Sequence, residues 1–204
     1  MCSMGGFTVS EVNGNSFFAV FFRQKYINRW GLMRNVMNEN LSTHAAEVSC
    51  VAHALALIGN TYFGKNYDAD RVAVLALYHD MPEVFTGDLP TPVKYANQAL
   101  RQCYAELENQ ATKQLIDRLP PELQSEYEKI LEVFPIDKEI KKLIKGADKL
   151  CALIKCIEEE KSGNKDFTSA RESTEKSLRD MKFEELDYFM ENFLPAFSGT
   201  LDEL

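Results

Sequence analysis

Apolar residues recur at helical spacing along most of this chain, and strand-like alternation is scarce. In Glu47 to Leu57, the residues Val48, Val51, Ala52, Leu55 and Ala56 fall on one face of a helix. Asp70 to His79 repeats the pattern through Val72, Leu75, Ala76 and Tyr78, with Asp68 or Asp70 placed to cap its start. A break follows, Met81-Pro82 and then Thr86-Gly87-Asp88-Leu89-Pro90-Thr91-Pro92. Its prolines and glycine cannot continue a regular helix, so a structured loop is predicted there. A long helix is expected near Tyr95 to Arg118, ended by Pro120-Pro121. Another is expected from Lys138 to Glu160, stopping near Ser162-Gly163-Asn164. Two more are expected at about Phe167 to Asp180 and Phe183 to Phe193. Helices and loops without internal repeats give one all-α domain over residues 16–204. The Gly/Ser/Asn-rich residues 1–15 read as a flexible leader.

Composition agrees with a soluble globular domain and limits its partners. The chain has 204 residues, 45% hydrophobic and 26% charged, enough to bury a core without staples. Collagen-like, coiled-coil and multi-pass membrane readings are excluded. Lys and Arg total 23 against 31 Asp and Glu, a net charge of −8. Such a surface repels phosphate polymers and anionic membranes, and no Lys/Arg run overrides it. No nucleic-acid polymer and no membrane is expected as a partner. A small anionic ligand fits if a metal or a few local cations neutralise it.

Five cysteines (Cys2, Cys50, Cys103, Cys151, Cys156) lie at irregular intervals with no C-x-x-C pair, which suggests reduced, buried thiols. Phe17 to Phe22 is too short to span a bilayer and lacks the flanks of a signal peptide. Leu201-Asp202-Glu203-Leu204 is similar to a reticulum-retention tail, but no entry signal accompanies it. A cytoplasmic location is expected.

The Pro/Gly break sits directly beside His79-Asp80, the first sign of a site. Only three histidines occur: His44, His53 and His79. His44 opens a helix after the polar run Asn38 to Thr43, and Asp148 is a carboxylate among largely apolar neighbours. Each has an ordinary alternative. A histidine at a helix start can be a cap, adjacent His-Asp arises by chance, and a mid-helix Asp can pair with Lys145 or Lys149. Trp30 alone reads equally as a core aromatic, and Glu83 alone as a surface carboxylate. His53, among Val51, Ala52, Ala54 and Leu55, reads as a packed core residue rather than a ligand.

Together, His44, His79-Asp80 and Asp148 resemble the signature of the HD-domain metal-dependent phosphohydrolases. Flanking residues narrow the resemblance: Ile27-Asn28-Arg29-Trp30, Met33-Arg34-Asn35, Glu39-Asn40, Glu83, Gly87 to Lys94, and Asp187-Tyr188-Phe189-Met190-Glu191. They resemble the bacterial 5′-deoxyribonucleotidases of the YfbR-like group from about Phe17 onward, with Gly87 to Lys94 the most specific block. Two departures are visible. Thr43 precedes the first histidine where an acidic residue is expected, and the leader is longer.

The resemblance implies an all-α, single-domain helical HD-domain fold. It also implies metal ligation by His44, His79, Asp80 and Asp148. Two imidazoles and two carboxylates suit a six-coordinate divalent ion such as Mn, Co, Fe or Mg rather than closed structural zinc. The two aspartates offset the ion's charge, so an anionic phosphate can approach. By resemblance Glu83 assists catalysis, from a position that a continued helix would place on the His79 face. Arg29 clamps phosphate through its planar fork. Trp30 walls the sugar and disfavours a ribose 2′-hydroxyl. Asp88, Leu89, Pro90 and Thr91 line the nucleoside pocket, and His44, Asp80 and Asp148 also face the substrate. Lys94 adds positive potential.

The expected function is metal-dependent hydrolysis of deoxyribonucleoside 5′-monophosphates to deoxynucleoside and phosphate, by a homodimer if the family habit holds. The alternatives are another HD-domain hydrolase acting on nucleoside triphosphates or phosphodiesters, or a non-catalytic nucleotide-sensing module. The chain offers no further Arg/Lys cluster for a triphosphate and no Gly-Tyr-Pro block of the cyclic-dinucleotide group. The intact ligand set and Glu83 argue against loss of turnover.

Overall fold

The computed structural model describes residues 15–94, 96–131 and 136–203. All of the leader except Asn15, together with Cys2, therefore lies outside the described residues. The α-helices are α1 (Phe17–Phe21), α2 (Leu41–Tyr62), α3 (Ala69–Leu77), α4 (Glu83–Thr86), α5 (Thr91–Lys94), α6 (Gln98–Ile116), α7 (Pro121–Ile130), α8 (Lys138–Lys161), α9 (Thr168–Met181) and α10 (Glu184–Asn192). Short 3₁₀ turns occupy Phe22–Tyr26, Lys165–Phe167, Leu194–Ser198 and Leu201–Glu203. Among the described residues there is no strand, only a single antiparallel bridge between Asn28 and Asn40. The all-α expectation holds.

The apolar stripes do what their spacing predicts. The 22-residue α2 buries Val48, Ala52, Leu55, Ala56 and Ile58 against α3, α8 and α10. By length and composition α2 could cross a bilayer. In this fold it is the central core helix instead. Its start is fixed by Asn40, whose side chain accepts from the Thr43 N–H at 2.9 Å. Asp68, one of the two candidates, caps α3 by accepting from the Arg71 N–H at 3.0 Å. From α8, Leu143, Ala147, Leu150 and Leu153 complete the main core. A second apolar cluster gathers Phe17, Met81, Leu115, Ile116, Leu119 and Leu131 beneath α1 and α6.

Four expectations need correction. Pro120-Pro121 ends α6 but also starts α7, because Pro121 sits in the first turn, where its missing N–H has no intrahelical partner to lose. The Pro/Gly break is not all loop: it holds the one-turn helices α4 and α5, separated at Gly87, whose φ of 74° suits a residue without a Cβ. His53 is not packed in the core; its side chain is 38% exposed, 3.4 Å from Asp70. The described cysteines are free, but only Cys151 and Cys156 are buried, while Cys50 and Cys103 are exposed.

Candidate metal centre

Three separate elements deliver the four expected ligands to one point. His44 comes from the first turn of α2, His79 and Asp80 from the turns after α3, and Asp148 from the middle of α8. One ligand atom from each lies within 4.8 Å of all the others. His44 Nε2 is 3.0 Å from Asp148 Oδ1 and 3.9 Å from Asp80 Oδ2. His79 Nε2 is 3.1 Å from Asp80 Oδ2.

The outer nitrogens of both imidazoles face acceptors, which sets their tautomers. The His79 Nδ1–H donates to the Ala76 carbonyl at 2.7 Å. This leaves Nε2 as the inward nitrogen, buried, 3.1 Å from Asp80 Oδ2 and without a hydrogen bond of good geometry. His44 Nδ1 faces Glu39 Oε1 at 2.9 Å. Ligand histidines are commonly oriented by just such an outer acceptor. The residues therefore fit a divalent cation: two imidazoles with inward nitrogens and two carboxylates, with His79 Nε2 buried and lacking a hydrogen bond.

Electrostatics point the same way. Burial pushes the His79 imidazole down, yet the Asp80 and Asp148 carboxylates more than reverse this and raise it to about 9. Burial pushes Asp80 up, but His79, His44 and Arg29 hold it well below the usual carboxylate range. Asp148 is likewise lowered against burial, chiefly by its bond to His44. The field that draws a proton onto His79 is the field that draws a cation into the cluster.

Around this centre lie the other expected residues. The Arg29 side chain is only 12% exposed and reaches inward, with Nη1 3.5 Å from Asp80 and 3.8 Å from Asp88. Glu83 is buried. Burial first, then Asp80 and Asp88, push its carboxyl up to about 9. Its Oε2 has no hydrogen-bond partner. It does not sit on a continuation of α3, which ends at Leu77. Successive tight turns carry the chain to Pro82, which precedes α4. Asp88 is half-buried and its carboxyl is raised, by burial first, against the pull of Arg29.

Leu89 and Pro90 continue from Asp88 toward α5, and the Pro90 carbonyl accepts the Val93 and Lys94 N–H groups at 2.8 and 3.0 Å. The side chain of Thr91 lies outside the described residues. Lys94 is already engaged, donating to Glu108 at 2.9 Å. Trp30 packs its ring on Phe167, with centroids 5.2 Å apart, and donates its indole N–H to Glu39 Oε2 at 2.6 Å.

Residues 16–197 match the family described as 5′-deoxynucleotidase YfbR-like. The chain belongs to the YfbR-like family. A 5′-deoxynucleotidase of Photorhabdus laumondii is 50% identical over 188 residues, covering 92% of this chain and 95% of that protein. The 5′-deoxynucleotidase YfbR of an Escherichia coli strain is 49% identical over the same length, covering 94% of its own chain.

Among solved structures, an HD-domain phosphohydrolase from Listeria innocua is similar with a TM-score of 0.76 and 25% identity, covering 89% of this chain and 88% of its own. A cyanophage S-2L HD phosphohydrolase, bound to dA and one catalytic zinc ion, has a TM-score of 0.62 at 20% identity, covering 89% and 96%. That neighbour speaks for the fold. As a YfbR-like protein, the chain carries the helical HD-domain architecture its sequence resembled.

Two groups were not assigned roles by sequence reasoning. Glu39 appeared only as part of a motif, yet it touches Arg29, Trp30 and His44. Glu159 anchors the segment before it from α8 by accepting from the Val36 and Met37 N–H groups at 2.9 and 3.0 Å. An acidic residue inside the polar run before His44 was the available signal for the first. The second had none, because its partners lie 122 and 123 positions away.

Proposed function

We propose that this YfbR-like chain is a divalent-metal-dependent 5′-deoxynucleotidase, converting deoxyribonucleoside 5′-monophosphates to deoxynucleosides and phosphate. The observation that carries the reading is the convergence of His44, His79, Asp80 and Asp148 within 4.8 Å, beside a buried arginine and a buried carboxyl. The named activity of relatives about half identical over nearly their whole length supports the substrate class.

In this reading His44, His79, Asp80 and Asp148 hold the ion, which when bound polarises a phosphoryl oxygen and orders the attacking water. The chain's own groups do the rest. Arg29 takes the remaining phosphoryl charge on its planar fork, a role its burial strengthens. Water attacks phosphorus on the side opposite the 5′-oxygen, the P–O5′ bond breaks, and the leaving oxygen needs a proton. Glu83, whose carboxyl is pushed up by burial, Asp80 and Asp88, delivers it from beside the cluster and recovers a proton from the attacking water as phosphate forms.

Asp88 accepts from a sugar hydroxyl, and the stretch Leu89, Pro90 and Thr91 borders the nucleoside. Trp30 sets the wall on the sugar side, with His44, Asp80 and Asp148 beneath the phosphate. We place the enzyme in the cytoplasm, acting as a homodimer.

The test is phosphate release from matched deoxy- and ribonucleoside 5′-monophosphates by metal-loaded protein and by Glu83→Ala. Turnover confined to the deoxy series and lost in the variant is expected. Equal turnover of both sugars removes the sugar role of Trp30. Silence on every monophosphate with metal bound overturns the reading.

A further inference from the structure

Glu39 is buried, and the donors facing its carboxylate come from three different residues. His44 Nδ1 approaches Oε1 at 2.9 Å and Arg29 Nε approaches the same oxygen at 3.3 Å. Trp30 Nε1 donates to Oε2 at 2.6 Å. His44 Nδ1 and Arg29 Nε are buried nitrogens with no hydrogen bond of good geometry, and the Glu39 carboxylate is the charged group that approaches both. The main chain reinforces the link. The Arg29 N–H donates to the Glu39 carbonyl at 3.0 Å, and the Leu41 N–H donates to the Ile27 carbonyl at 2.9 Å. Trp30 itself stands at φ 58°, a left-handed backbone that a bulky residue keeps only where its surroundings hold it there.

An ionised carboxylate is an acceptor only, and its partners here are all donors. One end of Glu39 fixes the tautomer that turns His44 Nε2 toward Asp148 and Asp80. The other end holds the indole of the Arg29–Trp30 turn. We propose that Glu39 is a positioning residue that couples the metal centre to this turn, so that cation binding at His44 Nε2 resets Trp30 and Arg29. The proposal rests on the metal-dependent reading above. Withdrawal of electron density from His44 strengthens its Nδ1–H as a donor and draws the shared carboxylate toward it. Coupling of this kind is reciprocal: a turn held in place favours the cation by the same factor.

Trp30 is the chain's only tryptophan, so intrinsic fluorescence reads the proposed link directly. Zinc ion is the probe, since its closed shell does not quench indole by itself. Zinc titrations of the wild type, Glu39→Gln and Glu39→Ala are followed by emission and by calorimetry, without substrate. In the wild type, emission should change in step with zinc occupancy, and Asp148→Asn should weaken that response.

Glu39→Gln keeps the shape, but its NH₂ must face one of the donors. Both Glu39 variants should bind zinc at least tenfold more weakly and lose the emission response. Glu39→Gln carries the test should Glu39→Ala fail to fold. Wild-type emission unmoved by bound zinc overturns the coupling. So does an emission response that persists in folded Glu39 variants, even if their zinc affinity falls. Because no reading uses a substrate, failure of the deoxynucleotidase activity would be seen separately.

Discussion

At Glu83, burial and neighbouring charge act in the same direction. Desolvation, Asp80 and Asp88 together raise it to about 9, which favours the protonated form that the proposed donor role requires. A group with that task should matter to turnover far more than to binding. Glu83→Gln is expected to lower kcat by about 10²- to 10⁴-fold, the usual size of a lost general acid, with KM within a few-fold of wild type. Steady-state phosphate release checks this, and a matching loss in KM alone would reassign Glu83 to substrate binding. Arg29 makes a second, different demand. Its guanidinium meets Asp80 and Asp88 through Nη1 while Nε faces Glu39, a geometry only a planar fork can satisfy. Arg29→Lys keeps the charge and loses the fork, so kcat/KM should fall at least tenfold, about 1.4 kcal/mol. An unchanged kcat/KM would show that charge alone suffices there.

Among the elements, α8 does the most, because it carries Asp148 toward the centre on one turn and Glu159 toward the preceding segment three turns later. Glu159 accepts from the Val36 and Met37 N–H groups and from Asn164 Nδ2 at 2.7 Å, and it pairs with buried Lys155. Lys155 in turn donates to the Met37 carbonyl, so residues 36 and 37 are pinned to α8 from both sides. Removing the carboxylate strands a buried lysine, and Glu159→Ala should cost roughly 3–5 kcal/mol. Burial works against the charge, but these bonds lower Glu159 from 4.5 to about 2. A lowered carboxylate stabilises above its unfolded pKa, so this contribution is present above about pH 4.5 and fades as pH falls toward 2. Thermal melts of wild type and Glu159→Gln from pH 7 to 2.5 should therefore converge at the acid end. Parallel curves would refute the assignment.

The helices around these groups were legible in sequence because a 3.6-residue apolar period is local; α2, α3 and α8 follow from it directly. Helix α7 was not, because Pro120-Pro121 marks an end and a beginning alike. The histidines and aspartates that meet in the cluster were legible as a spaced pattern of residue types. The Glu39 contacts and the Glu159 clamp were not, since each depends on side chains that only tertiary packing brings into reach.

The molecule as a whole is organised so that its centre is also a joint. His44 on α2, His79 and Asp80 after α3, and Asp148 on α8 are far apart in sequence, and no part of the unfolded chain presents them together. An ion binding there binds the folded state alone, and its binding free energy adds to stability. Without a cation, the Asp80 charge raises the cost of ionising Asp148 across the cluster; a divalent ion reverses that opposition. At a free concentration about 100-fold above its Kd, the ion should add about 2.7 kcal/mol. For a domain of this size that corresponds to roughly 5–11 °C in Tm. Chelator-treated protein titrated with Mn²⁺ or Zn²⁺ in a thermal melt measures it. The shift should saturate, reverse on adding chelator and disappear in His79→Ala and Asp148→Asn. His53→Ala should retain it in full, because His53 pairs with Asp70 at the surface and has no place in the cluster. A shift that survives loss of His79 or Asp148 would mean that the cation stabilises the protein from somewhere else, and the four-ligand centre would have to be abandoned.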